Sequence, residues 1–477
     1  MRPGSARTLG GMEYDLIVIG AGAVGENVAD YAQKRGLSTA IVEVELVGGE
    51  CSYWACMPSK ALLRSGHAVR AAHRLGGAKE AVTGSVDPAA VFARRNSFTS
   101  NWKDDSQVSW LESAGIALLR GHARITGPKT IEIDGVTHAA RAAIAVATGS
   151  LPLLPDVPGL ADAQPWGTRE ATSAQEAPES LLVVGGGVAG CELATAYASF
   201  GTRVTLAARS GLLGAMEPFA GELVAEELAA LGVDVRIGAS PSRVDRDEHG
   251  LVTTTFADGS TLVTSEILVS TGRTANTGDL GLDTVGLTPG DWLDVDDTML
   301  VTGTDWLYAV GDVNHRALLT HQGKYQARAA GEVIAARFQG GDPQTEPWGA
   351  HVATADHAAV PQVTFTDPEV ASVGLTEDAA RKQGMHVRGV EYDLGSVAGS
   401  ALQADGYTGR AKIVVDEDRG VLVGATFVGQ DVAEMLQAAT IAVVGEVPVA
   451  RLWHAVPAYP TMSEVWLRLL ETYGRPE

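Results

Sequence analysis

The chain has 477 residues, more than one hydrophobic core accommodates, so about three modules are expected. Its 56 glycines, 45% hydrophobic content and 20% charged residues exclude a disordered or fibrous chain. With 36 Lys and Arg against 58 Asp and Glu, the net charge of −22 argues against nucleic acid and anionic membrane surfaces as partners.

The first eleven residues carry two arginines but no apolar core of signal-peptide length, and Met12 offers an alternative start. No window approaches an uninterrupted membrane span, so a cytoplasmic protein is expected. From Tyr14 the run YDLIVIGAGAVGENVADYAQKRGLSTAIVEVE reads as apolar strand, glycine turn, helix and second strand. Gly20-x-Gly22-x-x-Gly25 falls at the strand-to-helix turn, where backbone can approach a pyrophosphate and a helix N-terminus can neutralise it. Glu43, 23 residues after Gly20, is placed to accept hydrogen bonds from a ribose.

Three cysteines are too few for a disulfide scaffold. Cys51 and Cys56 stand close together in GGECSYWACMPSKALLRS, and the apolar run Ala61-Leu62-Leu63 puts Cys56 at a helix start, where the dipole stabilises a thiolate. Such a pair stores two electrons as a dithiol. The alternative, half of a zinc site, lacks a second cysteine pair or closely spaced histidines, so no metal site is expected. Cys191 reads as a small buried hydrophobe.

A second strand-turn-helix-strand unit begins at Leu181, LLVVGGGVAGCELATAYASFGTRVTLAAR, with Gly185-x-Gly187-x-x-Gly190 at its turn. Two such units imply two nucleotides. The spacing that reaches Glu43 in the first unit reaches Ala208 here, and the next residue, Arg209, suits a 2′-phosphate. NADPH is therefore expected over NADH; the alternative is that Arg209 is a solvated arginine and NADH serves as well. Proline and glycine cluster in GSLPLLPDVPGL and QGGDPQTEPWG, marking domain crossings. Beyond Gln362, QVTFTDPEVASVGLT and AKIVVDEDRGVLVGATFVG read as strands of a separate sheet, and the amphipathic SEVWLRLLE carries Trp466 and Leu469 on a face suited to seal an interface.

GGxCx4CxPSK between two nucleotide fingerprints resembles the flavoprotein disulfide reductases, the group of dihydrolipoyl dehydrogenase, glutathione reductase and mercuric reductase. Ala147-Thr148-Gly149, Gly272-Arg273, TDPEVASVGLT and YAVGDVN with Asp312 extend the resemblance over nearly the whole chain. It implies an α/β fold of two Rossmann-like nucleotide-binding domains plus a C-terminal α+β interface domain, in a homodimer. The expected divisions are an FAD-binding domain over 12–157 and 280–349, an NAD(P)-binding domain over 158–279, and an interface domain over 350–477.

The resemblance also implies roles. FAD would be held by the first glycine turn, Gly49, Thr148, Gly149 and Gly311, with Asp312 on its ribityl chain and the helix near His321 facing its pyrimidine edge. Lys60 and Glu192 would form an ion pair beside the isoalloxazine, and the nicotinamide would stack near Val188, with Gly272 and Arg273 completing the cofactor-binding set. Cys56 would face the flavin and Cys51 exchange with substrate.

One departure stands out. Where the disulfide-reducing members end in His-Pro-Thr-x-Ser-Glu, this chain reads VPAYPTMSEVW, which puts Tyr459 in the place of the acid/base histidine and keeps Glu464. A phenol near pKa ~10 does not shuttle protons at neutral pH as an imidazole near ~6.5 does, and such help is worth roughly 10²–10⁴ in rate. His454 lies nearby as a substitute only after local rearrangement. Tyrosine here resembles mercuric reductases, yet the chain ends ETYGRPE without their extra cysteines. The expected catalytic set is Cys51, Cys56, Lys60, Glu192, Tyr459 and Glu464. The expected function is electron transfer from NADPH through FAD and the cysteine pair to a small-molecule or protein disulfide or another thiol-reactive acceptor. The alternatives are a quinone or metal-ion reductase and a non-catalytic flavin-binding redox sensor.

Overall fold

The structure is a computed structural model describing residues 11–475; residues 1–10, with most of the leader reading, and 476–477 lie outside the described residues. The chain divides into two compact units, Met1–Cys56 with Thr99–Pro152 and Arg273–Asp356, and Met57–Phe98 with Leu153–Gly272 and His357–Glu477.

In the first unit the apolar run read from the sequence is the strand Glu13–Ile19 at the middle of a seven-stranded sheet. It pairs in parallel with Thr39–Glu43 on one side and Val136–Val146 on the other, and Leu307–Ala309 adds in parallel beyond. Leu16, Ile17, Val18 and Ile144 are fully buried, as expected of strands covered on both faces. Helices Ala23–Lys34 and Thr320–Phe338 pack together, and Gly331 permits it: a Cβ there would lie 2.8 Å from the Val28 carbonyl oxygen.

Between Thr99 and Asp104 the same unit makes an unusual turn. Ser100, Asn101 and Trp102 take φ of 50°, 51° and 54°, closed by hydrogen bonds from Trp102 N to Thr99 O (2.8 Å) and Lys103 N to Ser100 O (3.2 Å). Left-handed backbone costs about 1–2 kcal/mol for each residue that bears a Cβ, so this turn persists only because its surroundings hold it.

The second unit contains a four-stranded parallel sheet ordered Asp234–Ile237, Arg203–Ala208, Ser180–Val184, Glu266–Val269, with helix Val188–Ser199 following its glycine turn. Its other large element is an antiparallel five-stranded sheet running Pro361–Thr364, Glu369–Gly374, Val421–Gly429, Arg410–Asp416, Val387–Asp393. The expected α/β class is thus observed, with a mixed seven-stranded sheet and a parallel four-stranded sheet whose first parallel strands each lead into a glycine turn. The final helix, Val465–Tyr473, corrects one expectation: Leu469 is fully buried and Trp466 packs edge-on against Phe427 of the antiparallel sheet, at 5.8 Å between rings. An amphipathic pattern specifies that a face is covered, not by what. No described helix is long and apolar enough to cross a membrane.

Glu369 opens its strand with Oε2 accepting from Ala433 N (3.0 Å). Burial, reinforced by the charges of Asp431, Asp367 and Glu434, pushes its carboxyl up to about 7. Because the folded pKa is raised, this group's contribution is complete below the unfolded value near 4.5 and is lost as pH rises through about 7. Glu369→Gln keeps an acceptor for Ala433 and removes the buried charge. Urea midpoints measured from pH 5 to 8 are expected to lose part of their downward slope, with the variant more stable by about 2 kcal/mol at pH 8.

Candidate functional site

The two glycine turns share one steric logic. Gly20 (φ 101°) passes so close to Ala147 that a Cβ would lie 2.5 Å from its carbonyl oxygen, and a Cβ on Gly25 would lie 1.9 Å from Gly20 O. Gly185 (φ 123°) stands likewise at 2.5 Å from Ser270 O, and Gly190 at 2.0 Å from Gly185 O. The middle glycines differ, since Gly187 has nothing within 4 Å and Gly22 only the Cα of Gly49 at 4.0 Å. The outer glycines therefore serve the fold, and the middle ones leave an open face before each helix N-terminus. A Cβ on Gly49 would lie 2.8 Å from Gly22 Cα, so a side chain there would fill the first cradle. The residues present fit a dinucleotide pyrophosphate at both turns.

Around the first turn, Glu43 accepts from Ala21 N through Oε2 and from Glu45 N through Oε1, both at 2.8 Å. Burial raises its pKa against these two amide bonds. Spare lone pairs remain for a ribose, because a carboxylate offers about four acceptor sites. Glu26, in the first turn of the adjoining helix, has a buried Oε1 with no hydrogen-bond partner among the described residues. Burial lifts its carboxyl to about 7, with Glu43 adding to the rise and Lys324 opposing it.

Asp312 lies in a cluster of its own: its Oδ2 accepts from Ser150 Oγ (2.6 Å), and Arg273 donates to both the hydroxyl and the carbonyl of Ser150. Gly311 N, φ 83°, donates to Gln326 Oε1 at 2.8 Å, fixing the turn that presents Asp312. Thr148 Oγ1 donates to Asn276 O (2.8 Å), and Gly149 at φ 73° has open space where a Cβ would stand. His321 is the exposed second residue of the 19-residue helix Thr320–Phe338. Ser150 and Thr320 went unnoticed in the sequence, although each directly adjoins a residue singled out there.

Cys51 lies on the short helix Gly49–Tyr53, and Cys56 is the first residue of Cys56–His73, the helix start expected from sequence. Cys56 Sγ lies 3.3 Å from Thr320 Oγ1. A hydrogen bond with Cys56 and burial hold the Cys51 thiol well above the usual range, while Thr320 and the Lys324 charge pull it down. Of the bulky residues between the cysteines, Tyr53 is 1% exposed and its hydroxyl reaches the Val47 carbonyl oxygen at 3.1 Å, so it packs inward. Cys191 is fully buried and its thiol pushed up to about 12 by burial, which suits an inert hydrophobe.

The remaining residues belong to the second unit. Lys60 Nζ lies 2.8 Å from Glu192 Oε2 and 5.0 Å from the Phe365 ring centroid, while Glu192 Oε1 accepts from Phe365 N (2.9 Å), so the ion pair implied by the family is formed. Val188 begins the helix after the second turn, and Gly272 has φ 146°. Ala208 is buried, and the exposed Arg209 makes no hydrogen bond or ion pair among the described residues. Tyr459 is 76% exposed ahead of Pro460; Glu464 is buried, bonded to Arg468 (2.5 Å) through Oε1, while its Oε2 has no hydrogen-bond partner among the described residues. His454 is exposed. Among the described residues no group of three or more His, Cys, Asp or Glu could hold a metal ion.

Residues 14–340 match the model of the pyridine nucleotide-disulphide oxidoreductases, and residues 360–469 match the dimerisation domain of the same family. The chain belongs to that family. Among curated relatives it is 33% identical over 471 residues to a dihydrolipoyl dehydrogenase of Chlorobaculum tepidum, covering 95% of each chain. It is 30% identical over 458 residues to a mercuric reductase of Staphylococcus aureus, covering 95% of this chain and 81% of that one. Its fold is shared with the HOCl-induced flavoprotein disulfide reductase RclA from Escherichia coli, at 23% identity and a TM-score of 0.82 over 97% of this chain and 100% of that one. LpdA from Mycobacterium tuberculosis shares it too, at 24% identity and a TM-score of 0.80 over 96% and 99%. Membership makes the chain a flavin-dependent oxidoreductase that uses FAD and a pyridine nucleotide.

Proposed function

We propose that the chain takes reducing equivalents from NADPH, passes them through FAD to Cys51 and Cys56, and delivers them to a disulfide or another thiol-reactive acceptor. The observation that carries this reading is the pair itself: Cys51 on the short helix Gly49–Tyr53 and Cys56 opening the next helix, with the Cys56 sulfur 3.3 Å from the Thr320 hydroxyl. In the segments 12–157 and 280–349, the first glycine turn with Gly49 would receive the FAD pyrophosphate, Glu43 a ribose, and Asp312, braced by Ser150, the ribityl chain. Segment 158–279 would hold the pyridine nucleotide, and segment 350–477 would pair two copies, as the matched dimerisation domain supports.

FAD, when bound, supplies the two-electron carrier between the nicotinamide and the sulfurs. The chain's own residues do the rest. Thr320 steadies Cys56 as the inner sulfur, and the Cys51 thiol gives its proton to the departing sulfur as it attacks one sulfur of the acceptor disulfide and expels the other as a thiol. Cys56 then attacks the mixed disulfide, so that the Cys51–Cys56 bond forms, the second acceptor thiol leaves, and two electrons and two protons have moved to the acceptor. Lys60, tied to Glu192 and lying by Phe365, would place a fixed cation to tune the flavin. With Tyr459 in the histidine position, proton delivery to the leaving thiols is the weak step. This favours a second reading in which the acceptor is a quinone or a metal ion, with Tyr459 and Glu464 lining the acceptor site.

A steady-state screen of NADPH oxidation with lipoamide, glutathione disulfide, quinones and mercuric ion separates the two. Turnover with a disulfide supports the first reading, and turnover with quinone or metal alone supports the second. In the same assay kcat/KM is expected to be higher with NADPH than with NADH. Arg209→Ala should lower the NADPH value about tenfold or more, the worth of a charge-assisted hydrogen bond, and spare NADH. Equal use of both donors by the unaltered protein would refute the assignment of Arg209.

A further inference from the structure

We propose that the left-handed turn Ser100–Trp102 is a strained latch on the segment from Val47 to Tyr53 that carries Cys51, with Trp102 as a positioning residue for Cys51. The proposal rests on the redox role given to the pair above. The turn aims three consecutive residues at that segment. Trp102 Nε1 donates to the Tyr53 carbonyl oxygen (3.2 Å) at the end of the Cys51 helix, and the Lys103 carbonyl oxygen stands 3.3 Å from the Tyr53 hydroxyl. Asp104 Oδ2 accepts from Val47 N (2.9 Å), ahead of the same helix. The tethers thus grip both ends of the segment that begins at Val47 and carries Cys51.

A right-handed or extended path from Thr99 to Lys103 would not turn these groups the same way, which accounts for left-handed backbone in three residues that each carry a Cβ. No glycine occupies the turn, although glycine would adopt it without strain. The chemical consequence concerns the equilibrium between dithiol and disulfide. Breaking the S–S bond with two electrons and two protons frees the sulfurs to separate, and the bond re-forms in proportion to the effective concentration of one thiol about the other. A latch that keeps the Cys51 segment in place holds that concentration high and so keeps the pair strongly reducing.

The test uses the full-length, FAD-loaded protein, equilibrated without oxygen in dithiothreitol redox buffers and then alkylated to read the state of Cys51 and Cys56. Trp102→Phe keeps an aromatic ring, a smaller one, but loses the donor. Ser100→Val leaves every tethering atom in place and puts a β-branched residue at φ 50°, where it is a steric outlier. Each variant is expected to shift the equilibrium at least about threefold towards dithiol, or roughly 15 mV towards positive potential. The two act through different atoms, so failure of one to fold leaves the other as the test. A wild-type pair that cycles with the same potential in the variants overturns the latch alone. A wild-type pair that never cycles overturns the functional reading and the latch with it.

Discussion

Cys51→Ser is expected to lower turnover of whichever disulfide acceptor the wild-type protein reduces by a factor on the order of 10³ or more. NADPH should still bleach the bound flavin. A serine hydroxyl neither attacks a disulfide as a thiolate does nor stores electrons as a sulfur–sulfur bond, so the route past the flavin closes. Cys56→Ser closes the same route one step earlier and should also remove the long-wavelength absorbance of a thiolate stacked on oxidised flavin. Steady-state rates and anaerobic spectra of the two variants check both statements. Disulfide turnover within a few fold of wild type in Cys51→Ser would show that the acceptor draws electrons from elsewhere.

The second large effect concerns the fold. Lys412, its side chain 8% exposed, holds Nζ at 2.9 Å from both Glu217 and Glu377 and at 3.4 Å from Glu391. Burial alone would lower the lysine's pKa, but bonds to Glu377 and Glu217 outweigh it and raise it, so the ammonium stays charged. The Lys412 hydrogen bond is in turn the main cause of the depressed pKa of Glu377. The stabilisation this carboxyl contributes is therefore present above its unfolded value near 4.5 and lost as pH falls through the folded one. Lys412→Met strands Glu217, 4% exposed, without its ammonium and leaves Glu377 only its ion pair with Arg381, at a cost of about 3–5 kcal/mol. At about 2–4 °C per kcal/mol, Tm should fall by roughly 10 °C. Glu217→Gln in the same chain should restore part of the loss, since the two substitutions share one network. An unchanged Tm in Lys412→Met would mean that water, not the protein, satisfies these carboxylates.

Much of this was legible in the sequence because its causes are local. A glycine turn between strand and helix is a steric requirement, and Gly20, Gly25, Gly185 and Gly190 meet it with no room for a Cβ. Cys56 opens its helix because an apolar run follows it directly. The Lys60–Glu192 pair spans 132 positions and was reachable only through the family pattern. What stayed hidden depends on distant partners or on backbone handedness. Thr320 meets Cys56 across 264 positions, and Lys412 meets Glu217 across 195, with no periodicity linking them. Ser-Asn-Trp carries no glycine to announce a left-handed turn, and only Asn101 is a residue that tolerates one readily. Trp466 and Leu469 showed a covered face, but the cover is the chain's own sheet at Phe427.

The most direct test of the central claim is a thiol count on the purified, FAD-loaded protein before and after anaerobic NADPH. Alkylation of Cys51 and Cys56 is predicted to rise together from near zero to near completion, while Cys191 stays unlabelled until denaturation. Bleaching of the flavin with no new label on Cys51 or Cys56 would contradict the account.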